Sequence, residues 1–128
     1  MEIEAIIGKV DTPSWNGITY PRSVMENAIK NSGIDKRRLM ITFGNSDIMT
    51  TEFDRIIGYA TKIDIVDCDI KMCAKLLDTQ MGTLVTDMMG ACISIGYSVS
   101  SVATVVDGVA QDDCRLLRID AGPKLKGE

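Results

Sequence analysis

TQMGTLVTDMMG (residues 79–90) runs directly into ACISIGYSVS (residues 91–100), and the change of rhythm between the two decides the fold. In the first half Met81, Leu84, Val85 and Met88 recur at i, i+3, i+4 and i+7. That spacing puts them on one face of an amphipathic helix over 79–90, with Gly90 as its stop. In the second half the period falls to two. Ile93, Ile95, Tyr97 and Val99 alternate with Ser94, Gly96, Ser98 and Ser100, as side chains do on the two faces of a strand.

The same two rhythms extend outward. Upstream, IIGYATKIDI (56–65) and IKMCAKLL (70–77) flank the acidic turn Asp67-Cys68-Asp69, which predicts an antiparallel hairpin. Residues 39–43 form a further strand, and IEAIIGKV (3–10) the first. Between them Pro21 opens a second helix over 22–32, with Val24, Met25, Ala28 and Ile29 on its apolar face and Ser32-Gly33 at its end. Downstream the strand begun at Cys92 continues to Val106. Val109–Gln111 and Arg115–Ile119 follow, split by a turn at Asp112-Asp113. The order predicts an α+β domain: an antiparallel β-sheet or small barrel with two short helices packed on it. Neither a repeat nor a linker interrupts it, so 3–123 reads as a single domain and 124–128 as a short polar tail.

Composition narrows the function. A chain of 128 residues supports one core. At 45% hydrophobic and 25% charged it is too apolar for a disordered protein. With one Trp, three Tyr and two Phe, that core must come from Ile, Val, Leu, Met and Ala. The formal net charge is −4 and the longest basic run is Lys36-Arg37-Arg38, so no nucleic-acid partner is expected. Apolar stretches are too short for a membrane span and no signal peptide opens the chain, so no membrane is expected either.

The four cysteines, Cys68, Cys73, Cys92 and Cys114, lack a C-x-x-C pair. They are expected to be reduced, unmetallated and buried as small hydrophobes, in keeping with folding in a reducing host cytoplasm. The acidic clusters at Asp64, Asp67 and Asp69 and at Asp112-Asp113 lack a calcium-loop pattern, and the glycines form neither G-x-G-x-x-G nor a P-loop. No metal and no cofactor are expected.

The chain contains no histidine, which excludes any mechanism built on an imidazole. Ser94, just after the helix of 79–90, is the one candidate nucleophile. A serine hydroxyl is a weak nucleophile until a base takes its proton, and on spacing alone Ser94 takes the solvent-facing slot of an alternating strand. Trp15 and Tyr20, large aromatics in the turn-rich segment 11–20, are the candidate interface anchors, although Trp15 could equally cap the domain's own core.

Several segments together resemble the prohead maturation proteases of tailed bacteriophages, whose fold is related to that of the herpesvirus capsid proteases. Asn16-Gly17-Ile18-Thr19-Tyr20-Pro21 is similar to the N-G-x-x-Y-P lead-in to the first helix. Arg55-Ile56-Ile57-Gly58-Tyr59-Ala60 is similar to the strand after the catalytic-histidine region. Leu76 to Gly82 and Ile93-Ser94-Ile95-Gly96-Tyr97 resemble the helix start and the nucleophile strand, and Leu116 to Pro123 the closing strand.

The resemblance spans about residues 3–123 and implies a serine protease with Ser94 as nucleophile and a histidine base between the first helix and Gly58. Here that stretch reads Ile41-Thr42-Phe43-Gly44-Asn45-Ser46-Asp47. Asp47, or one of the strand lysines Lys62, Lys71 and Lys75, is left as a substitute base. A fold kept without its base implies a non-catalytic virion protein, a decoration or cement protein on the major capsid protein shell. The same resemblance leaves open a prohead scaffold or core component and an active protease with a non-histidine base. It also implies a virion capsid location and a homo-oligomer or lattice contacts.

Overall fold

The structure, a computed structural model, describes residues 1–14, 17–34, 36, 38–45 and 49–123. Its elements are β1 (Glu2–Lys9), α1 (Arg22–Ser32), β2 (Leu39–Phe43), β3 (Ile56–Val66), β4 (Asp69–Leu76), α2 (Gln80–Gly90), β5 (Ile95–Val102), β6 (Val105–Val106), β7 (Val109–Ala110) and β8 (Arg115–Pro123). A short 3-10 turn at Phe53–Arg55 leads into β3. Among the described residues no helix is long and apolar enough to cross a membrane.

Six strands form one sheet in the order β1-β4-β3-β2-β8-β5, and β6 and β7 make a separate small hairpin. The sheet is mixed, which corrects the antiparallel expectation. β2 runs parallel to β8, with Ile41 beside Ile119 and Phe43 beside Ala121, while the other pairings in the sheet are antiparallel. The reason lies in connectivity. β2 and β8 are far apart in sequence, so no tight turn forces them antiparallel, and α2 and the β6–β7 hairpin fill the intervening chain.

The sheet curls so that its edge strands β1 and β5 approach each other. Ile41, Ile57, Ile70, Met72, Ile119 and Val85 are all but inaccessible at its centre. α1 lays Val24, Met25 and Ala28 into this core and ends on Gly33, whose φ of 69° is the left-handed turn a glycine adopts at least cost.

Two expectations for the second helix and its strand change. The face of α2 that is buried holds Gly82 and Val85, with Met81 and Met89 partly packed, while Leu84 is 45% exposed. The stripe that α2 buries is therefore narrower than the four-residue apolar set suggests. The strand expected from Cys92 to Val106 starts at Ile95 and stops at Val102, and Val105–Val106 pairs instead with Val109–Ala110 across Asp107 and Gly108, both at positive φ. That pair of left-handed residues makes a two-residue hairpin turn.

Candidate functional site

The joint that delivers Ser94 begins at the start of α2. Thr79 is the N-cap: its hydroxyl accepts from the Gly82 N–H at 2.9 Å and donates to the Ile56 carbonyl at 2.7 Å. One side chain thus starts the helix and ties it to the first residue of β3. Gly82 can only be glycine here, because a Cβ would stand 2.1 Å from the Leu77 carbonyl oxygen. Gly58 is held equally tightly, with a Cβ falling 2.2 Å from the Lys75 oxygen.

α2 ends at Gly90, as expected, and the chain is turned out of it over the next three residues. The Cys92 N–H donates to the Met89 carbonyl at 3.0 Å and the Ile93 N–H to the Met88 carbonyl at 2.9 Å, with Cys92 itself at φ 63°. This double bond pattern closes a helix through one left-handed residue, usually glycine. A cysteine there costs about 1 kcal/mol or more. The turn throws Ile93 and Ser94 out of the helix and into β5.

Ser94 therefore precedes β5 rather than lying within it, and it is exposed. It sits at one end of a groove of about 1110 Å³ between the two edge strands. Ile3, Ala5, Ile95 and Tyr97 form the apolar floor, packed against the core. Glu4 and Ile6 stand exposed on one rim, Ser94 and Ser98 on the other. Following the pairings across the sheet, β1 and β5 run in the same direction. Their edges meet at Gly8, where a Cβ would lie 3.8 Å from Val99 Cγ1. Ser94 lies five residues before that contact, about 16 Å along the strand.

The ionisable side chains lining the groove are Glu4, Lys9, Cys92 and Tyr97. Lys9 follows Gly8 at the far end and pairs with Asp69 at 3.7 Å. Glu4 accepts a weak contact from the Cys73 thiol at 3.9 Å. Burial pushes the Tyr97 phenol above its ordinary value, and its hydroxyl oxygen is enclosed with no hydrogen-bond partner. None of these is an imidazole. Lys62, Lys71 and Lys75 are exposed and do not line the groove. Lys62 instead pairs with Asp64 at 3.2 Å. Asp47 lies outside the described residues.

A second polar centre lies further along the same ladder and went unforeseen. Arg118, 2% exposed, donates from Nε to Asp120 at 2.8 Å. The fully buried Thr42 hydroxyl donates to the same carboxylate oxygen at 3.2 Å, and Ser100 to the other. Three strands, β2, β8 and β5, are tied through one aspartate. The signal was present in Arg118-Ile119-Asp120, two opposite charges one strand period apart.

Of the proposed interface anchors, Tyr20 is half-buried against the core, and Trp15 lies outside the described residues. The cysteine reading needs correction. All four are free, but Cys68 and Cys92 are exposed and Cys73 half-buried, leaving Cys114 as the buried one. Cys68 follows Asp67 in the β3–β4 turn and Cys92 occupies the helix cap, and tight turns put side chains outside whatever their neighbours' polarity. Burial raises the Cys114 thiol above its ordinary value. Among the described residues no group of three or more potential ligands converges on a metal position.

No family model matches the chain, and no curated protein matches it. Among solved structures it superposes on the capsid assembly protease gp21 of bacteriophage T4, with a TM-score of 0.85 over 97% of this chain and 82% of that one. The fold is that of a phage prohead protease. Sequence identity over the match is 14%, so the likeness is one of architecture. The order of segments that suggested it from sequence is the order in which the strands and helices are laid down.

Proposed function

We propose that this domain is a non-catalytic structural protein of a phage particle, a decoration or cement protein that binds the major capsid protein shell. The observation that carries the reading is the surroundings of Ser94. It is exposed, it shares its groove with one carboxylate, one lysine, one thiol and one phenol among the described residues, and the chain has no histidine. General-base help is worth roughly 10²–10⁴ in rate. Without it a hydroxyl that is un-ionised at neutral pH stays a poor nucleophile. The prohead-protease fold supports an assembly setting, since the T4 protein sharing it is a capsid assembly protease. A domain of that shape without a base is suited to holding capsid chains rather than cutting them.

The test mixes the purified protein with expanded capsids, measures bound copies by sedimentation and follows capsid-protein cleavage in the same tube. Saturable binding with intact capsid protein is expected, unchanged by Ser94→Ala. Cleavage that disappears in Ser94→Ala would overturn the reading and make the domain a protease with a non-histidine base.

A further inference from the structure

The two end strands of the sheet, β1 and β5, have no ladder between them, yet curling sets them side by side. Their neighbours fix which backbone groups each turns to the gap. On β1 the Leu76 N–H donates to the Met1 carbonyl at 2.8 Å. Alternate residues of an antiparallel strand turn away from their partner, so Glu2, Glu4 and Ile6 direct their N–H and C=O groups into the gap. On β8 the Ala121 carbonyl accepts from the Gly44 N–H at 3.4 Å, on the β2 side. Asp120 and Gly122 therefore face β5 and bond to Ser98 and Gly96. That leaves the N–H and C=O groups of Ile95 and Tyr97 directed into the gap from the other side.

The two edges match in direction, face and phase. They run the same way. Ile3 and Ala5 share the core-facing side with Ile95 and Tyr97, while Glu4 and Ile6 point outward. A parallel ladder needs each gap-facing residue of one strand to lie level with a residue between two gap-facing ones on the other. Setting Glu4 level with Gly96 meets that condition, and it also puts Ala5 beside Tyr97 on the inner face. The same register stands Ile7 level with Val99, where the edges already touch at the neighbouring Gly8, across the bulge that follows Ile6. Gly96 has no side chain to obstruct the approach.

We propose that β1 and β5 are the two halves of a zip that closes from the Gly8–Val99 contact towards Ser94. In the closed form the Glu4 N–H donates to the Ile95 carbonyl, the Tyr97 N–H to the Glu4 carbonyl and the Ile6 N–H to the Tyr97 carbonyl. Closure turns the curled sheet into a barrel without edges. It covers the half-buried floor of Ile3, Ala5, Ile95 and Tyr97, which supplies the apolar driving force, and it shuts the groove beside Ser94. Access to the groove is thus gated by the strands that form it. Closure does not depend on whether Ser94 is inert, so cleavage of capsid protein would overturn the preceding reading and leave the zip in place.

The test is a disulfide across the zip. Glu4→Cys/Gly96→Cys joins a level pair, with Cys73→Ser and Cys92→Ser removing the thiols near Glu4 and in the groove. The control carries Glu4→Cys and Cys73→Ser and keeps Cys92, four residues out of that register. Mild oxidation and mass spectrometry of the monomer should show the level pair crosslinking at least about tenfold faster than the control. Oxidation should raise its melting temperature and reduction should restore it, since a bridge that fits a folded arrangement stabilises that arrangement. Adding Ile6→Pro removes a donor that holds no bond to β4, and should slow the crosslink by about fivefold. Ile6→Cys/Ser98→Cys, the next level pair towards Gly8, repeats the test if the first variant does not fold, and should crosslink at least as fast. Equal rates in the level pairs and the control, a crosslink that lowers the melting temperature, or indifference to Ile6→Pro would each overturn the proposal.

Discussion

Ser94, just before β5, and Ser100, near its end, stand six residues apart in opposite circumstances. Ser100 donates to Asp120 within a network that also holds the buried Arg118 and Thr42. Ser94 is exposed at the mouth of a groove whose floor is apolar. At one end of the β5–β8 ladder, four polar side chains satisfy one another and lock three strands. At the other, no hydrogen bond to the exposed hydroxyl is seen among the described residues. A serine's chemistry is set by what the fold brings to it: the same residue type is a structural donor in one place and an exposed surface group in the other.

The largest test of that contrast is Asp120→Ala. It would take the Asp120 carboxylate away from the Arg118 guanidinium, which is 2% exposed, and breaking a buried pair from one side typically costs about 3–5 kcal/mol. Denaturant unfolding should show a loss approaching that size. The double variant Arg118→Met/Asp120→Ala should recover most of it, since an apolar replacement removes the buried charge as well. If the single variant unfolds like the parent, the network does not hold the strands together.

A smaller effect is expected at Tyr97, which lies between the two serines. Its hydroxyl is enclosed without a partner, so Tyr97→Phe should be neutral or stabilising, by up to about 1 kcal/mol. The sign of its pH effect follows from the raised ionisation of the phenol. The folded state keeps a proton that the unfolded chain releases near its ordinary value of about 10. The resulting stabilisation is complete below that pH and is lost as pH rises through the folded value. Thermal unfolding of both proteins from pH 8 to 11 should therefore show the parent losing stability relative to Tyr97→Phe above about pH 10. Parallel curves would mean that the phenol is not enclosed.

The smallest effect is expected at Ser94 itself. Ser94→Ala removes an exposed hydroxyl, and surface changes of that kind shift stability by no more than about 0.5 kcal/mol. A loss comparable to that of Asp120→Ala would show that Ser94 is tied into the fold in a way that its exposed position does not provide.

Much of this architecture was legible in the chain. The change from 3.6 to 2 at residues 90–95, the hairpin around Asp67 to Asp69, the β2 strand at Leu39–Phe43 and α1 over Arg22–Ser32 all follow from local spacing, because the burial period of an isolated element is written in consecutive residues. The absence of histidine is likewise a property of the sequence alone. Ser94 was found by its place after the second helix, and its lack of an imidazole partner needed no coordinates.

What the tertiary structure decided are the relations between residues far apart in the chain. The parallel pairing of β2 with β8 makes the sheet mixed, and no local pattern encodes which distant strand a given strand will join. The groove exists because β1 and β5, the two edge strands of the sheet, are brought together by curling. The pairing of β8 between β2 and β5 sets Asp120 among Thr42, Ser100 and Arg118. Cys92 is exposed despite apolar neighbours because a helix cap points it outward, and Cys68 is exposed in the turn between Asp67 and Asp69. Periodicity reports which face of an element is buried; only the assembled sheet reports against what.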